Sequence, residues 1–203
     1  MRCLALLHGA AVTGRFDAVE ALVPLAEELG IPRTQIEAAG LQVVPYGGFP
    51  RAIETLGLIS SGLSKRVSDR KPAEPESRSS ADISTSGREA FERVYGDKAE
   101  AVLTQLESLH PGLAEHVLEA AYGRVLAAPE LPLGLREILA VAALALAALP
   151  TSLQSHIRGA LRNGFTTAAV EDILHASSIL ANERALPVIQ QALDQLSRKI
   201  PRP

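Results

Sequence analysis

An all-α fold is predicted by three features of this sequence. No segment alternates apolar and polar residues with the period of two that marks a half-buried strand. The stretch Arg136 to Gly164 contains a run of about twelve Ala, Leu, Val and Ile residues, strong helix formers and too few to span a bilayer. The order of helices and breaks also recurs: an offset of 134 carries Gly30 onto Gly164, Arg2 onto Arg136, Ala26 onto Ala160 and Glu37 onto Glu171.

Taken in order, Cys3 to Val12 is apolar apart from His8 and is broken at Thr13-Gly14. Asp17 can cap a second helix, in which Val19, Leu22, Val23, Leu25, Ala26 and Leu29 follow helical spacing, Pro24 can introduce a kink and Gly30 marks the end. Pro32 suits the first turn of a third helix, roughly Thr34 to Val44. Tyr46 to Pro50 reads as a turn and Arg51 to Ile59 as a short helix. Helical patterning returns over Arg88 to Tyr95, Ala99 to Leu109 and Leu113 to Leu126. The run after Arg136 is apolar all round and is therefore expected to be buried all round. Pro150 stops it, Thr151 or Ser152 can cap the next helix, and Gly164 can end that helix in a left-handed conformation.

Residues 1–60 and 87–203 are expected to form two similar units that pack about a pseudo-twofold axis, since each alone would expose an apolar face. Residues 61–86 are rich in Ser, Pro and charge, and poor in apolar side chains, so they are expected to be a linker or mobile loop.

Composition narrows the function. The 203 residues are 47% hydrophobic with a net charge of −3, which gives no basic face for nucleic acid. The single cysteine, Cys3, excludes an intramolecular disulfide or a CxxC pair. No histidine pair has the i, i+4 spacing of a metal clip, so no metal is expected. There is no phosphate loop, dinucleotide turn or Ser-His-Asp signature, and no cofactor is expected. No secretory leader is evident, which points to a soluble cytoplasmic protein without a membrane segment. His8 lies in an apolar helix and is expected to be a core histidine bonded to a backbone carbonyl.

The segments VYGD (Val94 to Asp97), AAYGRVLAAPELPLGLRE (Ala120 to Glu137), HIRGALRNGFT (His156 to Thr166) and VEDIL (Val170 to Leu174) give the second unit a family likeness. Over roughly Gly87 to Leu196 it resembles a carboxymuconolactone decarboxylase domain, of the superfamily that also holds the alkylhydroperoxidase D-like proteins. The first unit is similar through TGRFD, LGIPRTQIEAAGLQ and YGGFPRAIETL. The resemblance implies a tandem duplication of an alkylhydroperoxidase D-like helical unit. It also implies a homo-oligomer, a trimer of chains being favoured, because single-domain members assemble as rings of dimers.

The peroxidase branch of this superfamily places two cysteines between a Glu and a His. Here the Glu and His positions are Glu137 and His156, but the cysteine positions hold Leu149 and Ser152. Without thiols the peroxidase chemistry has no nucleophile. The decarboxylase branch keeps the His without those cysteines. It usually carries Tyr-Ala-Gly-x-Pro after the third helix, where the second unit has Leu180 to Arg184. The first unit keeps that turn as Tyr46 to Pro50, but has Cys3, Arg15, Ala18 and Leu22 at the other site positions. Any site is thus expected to be a composite of the two units, or decayed.

By that resemblance His156 and Glu137 are the candidate catalytic acid–base pair, with Arg136 and Tyr46 holding a substrate carboxylate. Three functions remain open: an acid–base lyase on a small carboxylated or lactone-like molecule, a catalytically silent helical assembly protein, and a peroxidase-like protein. The pair carries a geometrical difficulty. In a straight hairpin Glu137 would lie roughly 18 Å before the turn and His156 roughly 7 Å after it, a miss of about 11 Å. The two can meet only if the first helix ends early or bends, or if the helices are not a simple hairpin.

Overall fold

The computed structural model describes residues 1–64 and 78–198, and no strand occurs among them. The fold is all-α. Eleven α-helical segments and a π-helical segment carry the core: α1 (Arg2–Thr13), α2 (Phe16–Glu28), α3 (Arg33–Leu41), α4 (Val43–Gly62), α5 (Ser80–Tyr95), α6 (Ala99–Leu109), α7 (Leu113–His116), the π segment (Val117–Leu126), α8 (Leu133–Leu146), α9 (Pro150–Arg162), α10 (Thr167–Ser177) and α11 (Ala185–Ser197).

α8 lies at the centre. All its residues except Leu135 are buried, as a helix without a polar face requires. It packs along α1 closely enough that a Cβ on Gly9 would meet Leu146 Cδ1 at 2.7 Å. One core lies among α1 to α4 and takes in Leu139 and Ala143 of α8. A second lies among α8 to α11 and takes in Ala5 of α1. A third joins α5, α6 and the π segment. The helices α1 to α4 and α8 to α11 are joined by polar ties as well: Arg2 of α1 pairs with Asp172 of α10, and Arg136 of α8 with Gln42 at the end of α3.

The sequence placed several boundaries differently. α9 begins at Pro150, which takes the first helical position itself, where its missing N–H costs nothing; Thr151 and Ser152 are inside the helix rather than capping it. Asp17 sits in the first turn of α2, and Arg15 is the N-cap. The Tyr46 to Pro50 turn is a kink within α4, made by Gly48 at φ 83°. The expected linker, 61–86, is shorter at its far end. Ser79 and Asp82 form a reciprocal capping box, with Asp82 N–H donating to Ser79 Oγ at 3.1 Å, and this starts α5 at Ser80. Residues 65–77 of that stretch lie outside the described residues.

Where an α-helix was expected from Leu113 to Leu126, the chain makes one α turn and then a π segment. Gly123 is the reason this segment can lie so close to α5: a Cβ there would meet Ile83 O at 2.4 Å, and one on Gly87 would meet Leu118 O at 2.3 Å. The π register decides which side chains share a face. Residues nine apart point about 180° away from one another in an α-helix. Under i→i+5 bonding they fall roughly two turns apart on the same side. Val117 and Leu126 accordingly line the same cavity, with Ala121 and Tyr122 between them.

Candidate active site

Glu137 and His156 meet. The His156 Nδ1–H donates to Glu137 Oε2 at 3.0 Å, with the carboxylate fully buried and the imidazole almost so. The expected miss of 11 Å disappears because α8 ends early, at Leu146, and Ala147 to Leu149 turn the chain, with Ala148 at φ 57°. Glu137 then lies about 14 Å from the end of its helix and His156 about 9 Å from the start of the next. Two side chains span the remaining few ångströms. Gly159 makes the approach possible: a Cβ there would stand 2.2 Å from Glu137 Oε2.

With Nδ1 bonded to Glu137, the His156 ring lines a cavity of about 210 Å³. Tyr46, Phe91, Tyr95 and Tyr122 line it together with His156, and aliphatic side chains of α6 and the π segment complete it. Tyr46 comes from the first unit and crosses edge-on to the His156 ring, centroids 5.6 Å apart. Tyr95 ends α5, whose last turn is tied to α9: Arg162 donates to Val94 O at 2.9 Å and Asn163 to Arg93 O at 3.2 Å. Arg162 and the C-cap Asn163 thus position the wall. Tyr122 is carried by the π segment beside Gly123. The wall is therefore assembled from α4, α5, α6, the π segment and α9.

Burial first, and then the charge of Glu137, raise the titration of the Tyr46 hydroxyl well above its ordinary value. Burial raises Tyr122 well above its ordinary value and Tyr95 above it, with the interaction between their two hydroxyls lowering Tyr95 and raising Tyr122, and with Glu137 raising both. All three phenols stay protonated and can donate hydrogen bonds at neutral pH. Glu137 Oε1 is buried without a hydrogen-bond partner.

Arg136 does not join this group. Its side chain is 1% exposed and turned to the interface between the units. There it donates to Ala128 O at 2.9 Å, Leu131 O at 3.3 Å and Gln42 Oε1 at 3.3 Å, and pairs with Glu130. Burial pulls its guanidinium down to about 10. Adjacent residues on a helix point about 100° apart, so the neighbour that reaches the cavity wall and the one that clamps the interface cannot be the same. Arg158 is exposed on α9 and bonds to Ser155.

His8 behaves as a core histidine: its Nδ1–H donates to Ala39 O at 3.0 Å, and it stands edge-on to the far side of the site through Tyr46, centroids 5.7 Å apart. Its Nε2 is buried without a partner. Burial lowers its value from 6.5 to about 4, with Arg136 adding to the effect. A base whose folded value is depressed favours the folded state above its unfolded value. That stability is fully present above pH 6.5 and is lost as the pH falls towards 4. At about 1.4 kcal/mol per pH unit the loss approaches ~3 kcal/mol. Urea unfolding from pH 7 to 4 should therefore show a steeper loss for the native protein than for His8→Asn, which keeps a donor for Ala39 but cannot titrate. Superimposable pH profiles would contradict this.

Of the remaining candidates, Cys3 is buried, its thiol donates to Leu22 O at 3.6 Å, and burial pushes it up. His110 closes α6, and His116 and His175 are exposed. Among the described residues no group of His, Cys, Asp and Glu has the arrangement to hold a metal. No helix among them is long and apolar enough to cross a membrane.

The sequence did not mark Tyr95, Tyr122 or Gly159 as site residues. The tyrosines did carry a signal, scarcity: they and Tyr46 are all the tyrosines the chain has. Gly159 had none that separates it from the other helical glycines.

Residues 111–196, which include both members of the dyad, match the sequence model of the Carboxymuconolactone decarboxylase family. Peroxisomal protein 2 of Schizosaccharomyces pombe is 32% identical over 138 residues, which cover 66% of this chain and 62% of that protein. The chain thus spans less than two thirds of that relative's length. Over residues 111–196 the chain is thus similar to the carboxymuconolactone decarboxylase family.

Proposed function

We propose that this protein performs acid–base chemistry on a small carboxylated or lactone-like molecule bound in the cavity, as a lyase of the decarboxylase type. The observation that carries the proposal is the buried dyad. Glu137 fixes the His156 tautomer and orientation, and the free Nε2 can take a proton from, or return it to, a ligand in the cavity. Tyr46 supplies a hydrogen bond from the other unit. Arg136 acts here as a clamp that holds the units in register, not as a carboxylate ligand. A peroxidase function has little support, since the one thiol of the chain is buried at Cys3 and bonded to backbone.

Incubating the protein with a panel of muconolactone-type acids and related lactones, and following loss of substrate and release of carbon dioxide, tests the proposal. Conversion that depends on His156 supports it. No conversion across the panel would leave the alternative, a helical assembly protein that kept the fold without the chemistry.

We also propose that the two units arose by duplication. Shifting the bounds of α2, Phe16–Glu28, by 134 gives those of α9, Pro150–Arg162, and the start of α3 lands on the start of α10. Self-association follows as a proposal from exposed apolar side chains such as Phe49 and Ile53, one turn apart on α4 and both about two-thirds exposed. Light scattering is expected to give an oligomer, with a trimer of chains favoured; a monomer at micromolar concentration would contradict it. The relative's printed name sets a peroxisomal location beside the cytoplasmic one expected here, and imaging of a tagged chain separates them.

A further inference from the structure

An offset of 134 carries α2 onto α9, and with it Ala18, Ala21, Leu22, Leu25 and Leu29 onto Ser152, Ser155, His156, Gly159 and Asn163. On α9 that face is covered by α5. Val94 comes within 2.9 Å of where a Gly159 Cβ would lie, and Arg162 and Asn163 donate to carbonyls of the last turn of α5. Among the described residues α2 packs chiefly on α1, α3 and α4, and buries Val19, Val23 and Ala26, the counterparts of Leu153, Ile157 and Ala160. The other stripe is left at the surface. Ala21, Leu25 and Leu29 are exposed, the two leucines at 41% and 62%, and Ala18 and Leu22 are half-buried. These five side chains fall within about 100° around the helix axis, a continuous apolar stripe outside the core.

The charge around the stripe restricts what fits it. α2 carries the carboxylates Asp17, Glu20, Glu27 and Glu28 and no Lys or Arg, whereas α9 carries Arg158 and Arg162 and no carboxylate. Asp17 is paired with Arg15 and Glu27 bonds Ser64, while Glu20 and Glu28 are exposed. Glu28 stands where α9 has Arg162, at the C-terminal end of the helix, whose own partial charge is negative. A carboxylate there adds to that charge instead of offsetting it, and is relieved by a cation brought against it. Nor can it donate to carbonyls as Arg162 does, so a helix lying on α2 in the sense that α5 lies on α9 is disfavoured. The chain's own exposed apolar pair, Phe49 and Ile53 on α4, has Arg51 and Glu54 beside it and offers no net positive edge.

We infer that the exposed face of α2 docks an amphipathic helix of another protein, one with an apolar stripe and with Lys or Arg along its edge. The apolar stripes supply the contact, and the carboxylates of α2 select the partner by charge. The inference does not depend on chemistry at His156.

Two synthetic peptides test it, each an amphipathic helix with the same leucine stripe, one with lysine and the other with glutamate at its polar positions. Both are fluorescently labelled and titrated with the native protein while anisotropy is followed. The lysine peptide is expected to bind saturably, and the glutamate peptide at least about tenfold more weakly. The double variant Leu25→Asp, Leu29→Asp removes apolar contact while making α2 more acidic. It should weaken the lysine peptide by at least about tenfold. Attraction to negative charge alone would instead be strengthened by these substitutions, so undiminished or tighter binding to the double variant would overturn the inference. Equal binding of the two peptides, or binding of neither, would overturn it as well. A fall in the mass of the protein on light scattering of the double variant would show that a second copy of the chain occupies the face, and would also overturn it. The comparison of the two peptides on native protein stands even if the variant fails to fold.

Discussion

On any panel compound that the protein converts, His156→Asn is expected to lower turnover by about 10²–10⁴-fold, the usual worth of a positioned general acid or base. Asparagine is the informative substitution because its amide N–H can replace Nδ1 as donor to Glu137 while Nε2 is deleted. His156→Ala should lose as much activity, but it also leaves the buried Glu137 carboxylate without its donor. That carboxylate is fully buried and its other oxygen already lacks a partner, so the alanine variant mixes catalysis with stability. No other histidine can substitute. His8 sits on the far side of Tyr46 with its Nδ1 committed to Ala39. Glu137→Gln keeps an acceptor for the imidazole and removes the charge, and is expected to cost about 10–100-fold, as for partners that orient a functional histidine. Steady-state rates, read beside circular dichroism to confirm folding, check both. An Asn variant that keeps most of the activity would show that His156 is only a structural donor.

The legible part of this molecule was the part that composition and periodicity control. A run with no polar face has to be buried, and α8 is. His8, alone in an apolar helix, has to find a backbone acceptor, and Ala39 supplies it. The pair Glu137 and His156 was legible as a pair through the family likeness, but not as a contact. Whether it closes depends on α8 ending at Leu146, on Ala148 adopting φ 57°, and on one glycine, none of which the spacing of residues determines. Arg136 was misplaced because a helix turns about 100° per residue, so that it and Glu137 serve different neighbours. Tyr95 and Tyr122 stood inside quoted motifs, yet their convergence needs the π register, and i→i+5 bonding leaves no periodic mark that distinguishes it from an α-helix of the same composition. The start of α5 was missed for another reason. Ser79 and Asp82 sit in a stretch whose overall composition resembles a linker, and the local capping box outweighs that composition.

Gly159→Ala is expected to be the most disruptive single-methyl change at the site. In a helix interior this substitution ordinarily stabilises by about 0.5–1 kcal/mol, because alanine has less backbone freedom to lose. Gly57 in α4 provides that baseline, since a Cβ there meets nothing within 4 Å. At Gly159 the same methyl would lie 2.2 Å from Glu137 Oε2, 3.0 Å from Glu137 Cδ and 2.9 Å from Val94 Cγ1. The carboxylate cannot yield without leaving His156, and it has no exposed surface into which to move. Overpacking of about 1–3 kcal/mol and loss of a charge-assisted hydrogen bond of about 1.5–3 kcal/mol both oppose the propensity gain. The net expectation is a loss of about 2–4 kcal/mol in urea unfolding, with activity falling alongside it, while Gly57→Ala gains a little. A double-mutant cycle identifies the cause. In a Glu137→Ala background the carboxylate is gone, so adding Gly159→Ala should cost much less than it does in the native protein, a coupling of more than about 1 kcal/mol. Additive losses would place the clash at Val94 instead and sever the link between Gly159 and the dyad.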